Sequence, residues 1–256
     1  MRNVLTIARK ELGSYFASPI AYIFLAIAAV IFGFFFYSIV AMYVSRALQV
    51  ARFGGMPPGM NINEMIFRPL LMNVAVTSLF LTPMLTMRLY SEERKSGTLE
   101  LLLTAPVSDW EILLGKFLGA LTLYGGLILL VLLYFGLLFI YGNPNLKPLL
   151  PGVLGLVFFG GSLISLGMLF STFTNNQIIA GSLTFGLFLL LWVLNWTSVY
   201  STGTVSQVLS YLSVTTHLEN FPKGVLDLSD CVYYLSLISL GLFLTARSME
   251  ASKGRP

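Results

Sequence analysis

Hydrophobic and polar positions along the chain sort into long apolar runs separated by short polar stretches. Six runs approach or exceed the ~20 helical residues that a bilayer's hydrocarbon core requires. They cover residues 20–43, 69–89, 112–141, 149–170, 178–200 and 230–246. The third is long enough to project beyond the bilayer, and the last is the shortest. The pattern predicts an all-α, polytopic membrane protein with six transmembrane helices, forming one transmembrane domain over residues 1–256.

Ahead of the first run, MRNVLTIARKELGSYFASP repeats Val4, Leu5, Ala8, Leu12, Tyr15 and Phe16 at helical spacing, with Arg2, Arg9 and Lys10 flanking the stripe. This suits a helix over residues 1–18 lying in the membrane interface, its basic side toward anionic headgroups. Pro19 breaks it before the first span. The bland alternative is a frayed, basic start of that span. No cleavable leader is predicted, because the apolar run that follows is longer than a leader needs. Two connections on the same side of the membrane are long. Residues 44–68 contain GGMPPGMN and read as an irregular loop. Residues 201–229 contain a Pro-Lys-Gly break and read as a plain loop or as two short helices at the outer interface. Residues 171–177, STFTNNQ, form a short polar connection.

Between the second and third runs lies SEERKSGTLELLLTAP, residues 91–106, with Glu92, Glu93, Arg94, Lys95 and Glu100 in a chain otherwise poor in charge. Charge at bilayer depth is expensive, so Arg88 and residues 92–95 mark where the second span leaves the hydrocarbon. Gly97 permits a sharp change of direction. Leu99, Leu102 and Leu103 then share one face of a two-turn helix, with Glu100 and Thr104 opposite, and Pro106 ends it. Ser108 followed by Glu111 three residues later is a capping-box pattern, which starts the third long helix near Ser108. A simple connecting loop has no need of that apolar face. It requires cover by headgroups or by another protein, and the pattern leaves both open.

Composition narrows the function. The chain is 56% hydrophobic and 10% charged, against about 25% charged in soluble domains. A single cysteine, Cys231, excludes an internal disulfide, and a single histidine, His217, excludes His-rich metal sites and the HExxH helix. No GxxxxGK[ST] phosphate loop occurs, so ATP, if used, is bound by another subunit. The net charge of +4 reflects membrane asymmetry rather than nucleic-acid binding. With the N-terminus in the cytoplasm, ten of the fifteen Lys and Arg residues fall on inner segments, which places both termini inside. Asn73 and Thr77, four apart on one face of the second span, are a candidate translocation path; the alternative is that Thr77 bonds its own helix backbone. Gly115 with Gly119, and Gly155 with Gly160 and Gly161, permit close helix packing. Arg68 reads as an interfacial anchor. Asp227 and Asp230, near His217 in sequence, read as loop residues, and no catalytic constellation is present.

Residues 87–116, MRLYSEERKSGTLELLLTAPVSDWEILLGK, resemble the first cytoplasmic loop of ABC-2 type transporter permeases. That loop carries an acidic-basic cluster, Gly-Thr-Leu-Glu, an apolar turn, a Pro, and a Glu-x-x-x-Gly-Lys start of the third span. ARKELGSYFASPIAYIF resembles the family's N-terminal elbow helix, and HLENFPKGVLDLSDCVYYLSL resembles the segment before its last span, so the similarity covers nearly the whole chain. It is nearest in character to permeases associated with gliding motility and with nitrous oxide reductase maturation, which the sequence does not separate. The resemblance implies a permease subunit of the bacterial inner membrane, without a cofactor of its own, that exports a substrate or transmits force. Its implied partners are two copies of an ATP-binding subunit and a second permease copy or homologue. Residues 91–108 become the cytoplasmic coupling segment, docking that subunit through Glu92, Glu93, Arg94, Lys95, Gly97, Thr98, Leu99, Glu100, Leu102, Leu103 and Pro106. Two other classes stand beside this one: a stand-alone secondary transporter or channel, and a non-transporting scaffold of a motility or assembly machine.

Overall fold

A computed structural model describes residues 2–52, 61–98, 107–142, 144–196 and 203–253. Every regular element among the described residues is helical, and six stretches are long and apolar enough to cross a membrane.

Helix α1 (Arg2–Ala17) stops at Ser18 and Pro19, and α2 (Ile20–Arg52) follows at once. The predicted break at Pro19 is therefore present. Helix α2 runs on past Tyr43, where the sequence reading placed an irregular loop. VSRALQVAR, residues 44–52, contains no Gly or Pro and is rich in good helix formers, so nothing in it stops the helix. The far end of that loop is also ordered, as a π-helical turn (Asn63–Phe67) that leads into α3 (Arg68–Thr86). A turn at residues 87–90 connects α3 to the short α4 (Ser91–Ser96).

Helix α5 (Asp109–Tyr141) begins with the predicted capping box. The Ser108 hydroxyl accepts from the Glu111 N–H at 3.2 Å, and the Glu111 carboxylate accepts from the Ser108 N–H at 3.1 Å. Helix α6 (Leu149–Ser171) and α7 (Gln177–Val193) follow, with Asn176 capping α7 by accepting from the Ile178 N–H at 2.9 Å. Where two short helices were expected in residues 201–229, the described part holds one α-helix, α8 (Thr204–Tyr211), and two 3-10 turns, Thr216–Leu218 and Phe221–Lys223. Helix α9 (Leu228–Lys253) outruns the predicted last span at both ends.

Helix α6 is central, packing against α9, α3, α5 and α7. Its bare surface at Gly160 takes the Tyr124 ring of α5, so closely that a Cβ there would lie 2.1 Å from the ring. The Tyr124 hydroxyl donates onward to Ser78 of α3 at 3.2 Å. Burial grades outward from this centre. In the most apolar window of the α6 span 67% of residues are buried, against 17% for α7 and 22% for α2. Because the spans alternate in direction, α1 and α4 share one end of the bundle, called proximal below. The turn before α3, the α5–α6 connection and residues 203–227 share the opposite, distal end.

Candidate docking site at the proximal end

The seat of α1 is built first by what α5 lacks. A Cβ on Gly115 would lie 2.6 Å from the Ile7 Cβ, and one on Gly119 would lie 2.8 Å from the Glu11 Cβ. Two glycines one helical turn apart therefore let α1 lie almost on the α5 backbone. Gly119→Leu is expected to lift α1 and to cost about 1–3 kcal/mol, the usual range for overpacking. Thermal unfolding in detergent checks this, with Gly125→Leu as control, because a Cβ at Gly125 meets nothing within 4 Å.

That close approach delivers Glu11 to Lys116, whose side chain is only 2% exposed. The Lys116 ammonium lies 3.3 Å from Glu11 Oε2 and 2.9 Å from Glu93 Oε1, and donates to the Leu89 carbonyl at 2.7 Å. An ammonium has three protons to give, and all three have takers. Its charge also sits 5.2 Å from the centre of the Tyr90 ring. One cation thus fastens α1, α5, α4 and the turn before α4. The other Glu93 oxygen, Oε2, and the Tyr90 hydroxyl are buried with no hydrogen-bond partner among the described residues.

A second cation does the same from the turn. Arg88 donates to the hydroxyls of Ser18 at 2.9 Å and Ser14 at 2.8 Å, and its Nε pairs with Glu92 at 3.2 Å. Its guanidinium covers the Tyr15 ring at 4.8 Å. Tyr15 itself is buried and donates to the Leu85 carbonyl at 2.8 Å. Burial pushes the Tyr15 phenol well above its ordinary pKa, and the nearby Glu11 charge pushes it further, so the group remains a donor.

The Ser171 hydroxyl at the end of α6 accepts from the N–H groups of Tyr90 at 2.9 Å and Ser91 at 3.0 Å, and donates to the Met87 carbonyl at 3.0 Å. Helix ends leave their last carbonyls without helical partners. Around the end of α3, carbonyls of residues 85, 87 and 89 are taken by side chains from α1, α6 and α5 in turn.

Gly97 then ends α4 in a left-handed conformation, with φ +70°, and its N–H bonds the Arg94 carbonyl at 3.3 Å. This is the reversal that the sequence predicted at that position. Beyond α4 opens a polar cleft of about 820 Å³, with Arg94 and Lys95 on one side and residues 173–178 on the other.

Of the residues predicted to dock a partner, Glu92, Glu93, Arg94, Lys95, Gly97 and Thr98 are described. Leu99, Glu100, Leu102, Leu103 and Pro106 lie outside the described residues. The charged cluster divides. Glu92 and Glu93 pair inward with Arg88 and Lys116, while Arg94 and Lys95 line the cleft. In the sequence Tyr15 figures only as part of the α1 stripe and Lys116 only as part of the Gly-Lys start of the third span, and Ser171 carries no signal of its own. The available signal was a lysine directly after a Gly in an otherwise uncharged run. The two path candidates sit together in α3, where the buried Thr77 hydroxyl donates to the Asn73 carbonyl at 2.7 Å.

At the distal end, His217 and Asp230 are more than loop residues. Both are buried, 2.7 Å apart, with the Asp230 carboxylate also accepting from Asn220 at 2.9 Å and the imidazole stacked on Tyr233 at 3.9 Å. The cluster pins residues 211–220 to the start of α9. No group of three or more His, Cys, Asp or Glu side chains suited to a metal occurs among the described residues.

In comparison with known families, a family model described as "ABC-2 family transporter protein" aligns with residues 5–246. Comparison with curated proteins gives no match.

Proposed function

Because the chain belongs to the ABC-2 family of transporters, as a multi-pass permease subunit, we propose that its proximal end receives the push of a separate ATP-binding subunit and passes it into the bundle. The observation that carries this reading is the Lys116 centre. A load applied at α4 is shared by α1, α5 and the end of α3 through one buried ion cluster, so it does not dissipate in a loose loop. Leu99, Leu102 and Leu103 form the apolar docking face, with Thr98, Glu100 and Pro106 shaping the segment, and Arg94 and Lys95 meet the partner at the rim. Glu92, Glu93 and Gly97 hold that segment in place. ATP is bound and hydrolysed by the partner, present in two copies, and this chain supplies neither cofactor nor catalytic group. A second permease copy or homologue completes the transporter in a bacterial inner membrane, with both termini cytoplasmic. The work moves substrate outward or transmits force, and the α3 face bearing Asn73 and Thr77 borders the path.

The test is co-purification of the tagged chain from native membranes, wild type beside Leu102→Asp. The expected result is an ATP-binding protein that accompanies the wild type and is lost from the variant at equal membrane level. If no ATP-binding protein accompanies the wild type in several mild detergents, the reading fails, and a secondary transporter or a scaffold takes its place.

A further inference from the structure

At the distal end, three segments far apart in sequence close around a cavity of about 470 Å³. They are the turn into α3, the α5–α6 connection and the 3-10 turn before α9. Arg68, Lys147 and Lys223 line it, with Glu64 as the one carboxylate. None of these four side chains takes part in an ion pair or side-chain hydrogen bond among the described residues. This differs sharply from the proximal end, where Arg88 and Lys116 are fully partnered.

The walls are built rather than incidental. The buried Asn63 side chain donates to the Asn145 carbonyl at 2.7 Å and accepts from the Asn145 N–H at 2.9 Å, which clamps two of the segments together. Gly224, with φ +83°, turns the third segment against Pro148, where a Cβ would lie 3.4 Å from the Pro148 Cα. Phe221 and Pro222, just before Lys223, are buried, so the backbone bearing that lysine is anchored. The three cations are thus held around one concavity with Glu64 as the single opposing charge, and a concave wall of net positive charge concentrates anions. Arg68 is half-buried with its planar fork unfilled, and such a fork matches the oxygens of phosphate.

We propose that this cavity binds a phosphate group, carried either by a lipid headgroup or by a soluble phosphate ester. Its volume falls in the range of small-ligand sites, about 300–1,000 Å³, and suits a headgroup-sized molecule better than a bare ion. On the orientation predicted by the charge count, the site opens at the outer leaflet. It is independent of the partner docking at the opposite end.

The full chain, purified in a neutral detergent, is titrated with glycerol phosphate in one arm and with short-chain phosphatidylglycerol in the other, reading bound ligand by native mass spectrometry. Wild type is expected to bind at least one probe. Arg68→Gln is expected to weaken that binding about tenfold, the weight of one charge-assisted pair. Lys147→Gln combined with Lys223→Gln, at two exposed positions tolerant of change, is expected to weaken it comparably. Arg46→Gln, outside the cavity, is expected to leave it unchanged. Binding of glycerol phosphate identifies a soluble ester as sufficient, and binding of phosphatidylglycerol alone identifies the lipid. Failure of wild type to bind either probe overturns the proposal. So does equal binding by wild type and the Lys147/Lys223 double variant.

Discussion

Lys116→Met is expected to destabilise the protein by about 3–5 kcal/mol, the cost of leaving buried charges without their partner. The methionine fills much of the same space, so the loss is electrostatic. Glu11 and Glu93, 12% and 19% exposed, would face each other across an uncharged gap, and the Leu89 carbonyl would lose its donor. For a chain of this size such a loss corresponds to a fall on the order of 10 °C in Tm. Replacing the whole cluster should behave differently. Adding Glu11→Gln and Glu93→Gln to Lys116→Met removes the stranded charges, and most of the lost stability is expected to return, because neutral replacements of buried ion clusters are often tolerated. Thermal unfolding followed by tryptophan fluorescence decides the matter. A single Lys116→Met variant that melts with wild type would mean that the ammonium does not hold this end together.

Arg88→Lys is expected to cost about 1–3 kcal/mol although it keeps the charge. The guanidinium uses all three nitrogens, toward Ser18, Ser14 and Glu92. An ammonium on a shorter, non-planar head reaches at most part of that set and loses the flat contact with Tyr15. The damage should be local. Hydrogen–deuterium exchange is expected to rise at residues 11–17 of α1 and to stay unchanged in α6. Unchanged exchange in α1 would remove Arg88 as its clamp.

Much of the fold is legible in the sequence because helix ends and spans are local. Pro19, the Ser108–Glu111 box, Gly97 and the six apolar runs each act within a few residues of themselves. The misread stretch, residues 44–52, failed for a local reason as well. The Gly- and Pro-rich run at residues 54–61 colours the whole connection as loop, whereas residues 44–52 ahead of it are good helix formers that carry α2 onward. The candidate site was half legible. Its position and its glycine reversal follow from composition and spacing. The inward pairing of Glu93 does not, because its partner Lys116 lies on another helix and pairing between helices leaves no periodic trace. Asp230 reads as a loop residue because the sequence offers no second base or metal cluster beside His217, and only the packing of α9 against residues 211–220 buries both.

The contacts of α1 also order events in time. Glu11 meets Lys116 across 105 residues of chain, and Ser14 meets Arg88 across 74. Helix α1 therefore leaves the ribosome well before both of its partners, and its fastening is completed only once α5 has been made and brought alongside. Until then the Ile7 face of α1 lacks its seat on α5, and the amphipathic pattern of α1 suits that wait. A ribosome-bound chain truncated before Leu85 would carry an α1 with neither lock in place, one truncated between Arg88 and Lys116 would have the Arg88 clamp alone, and completion of α5 adds the second fastening.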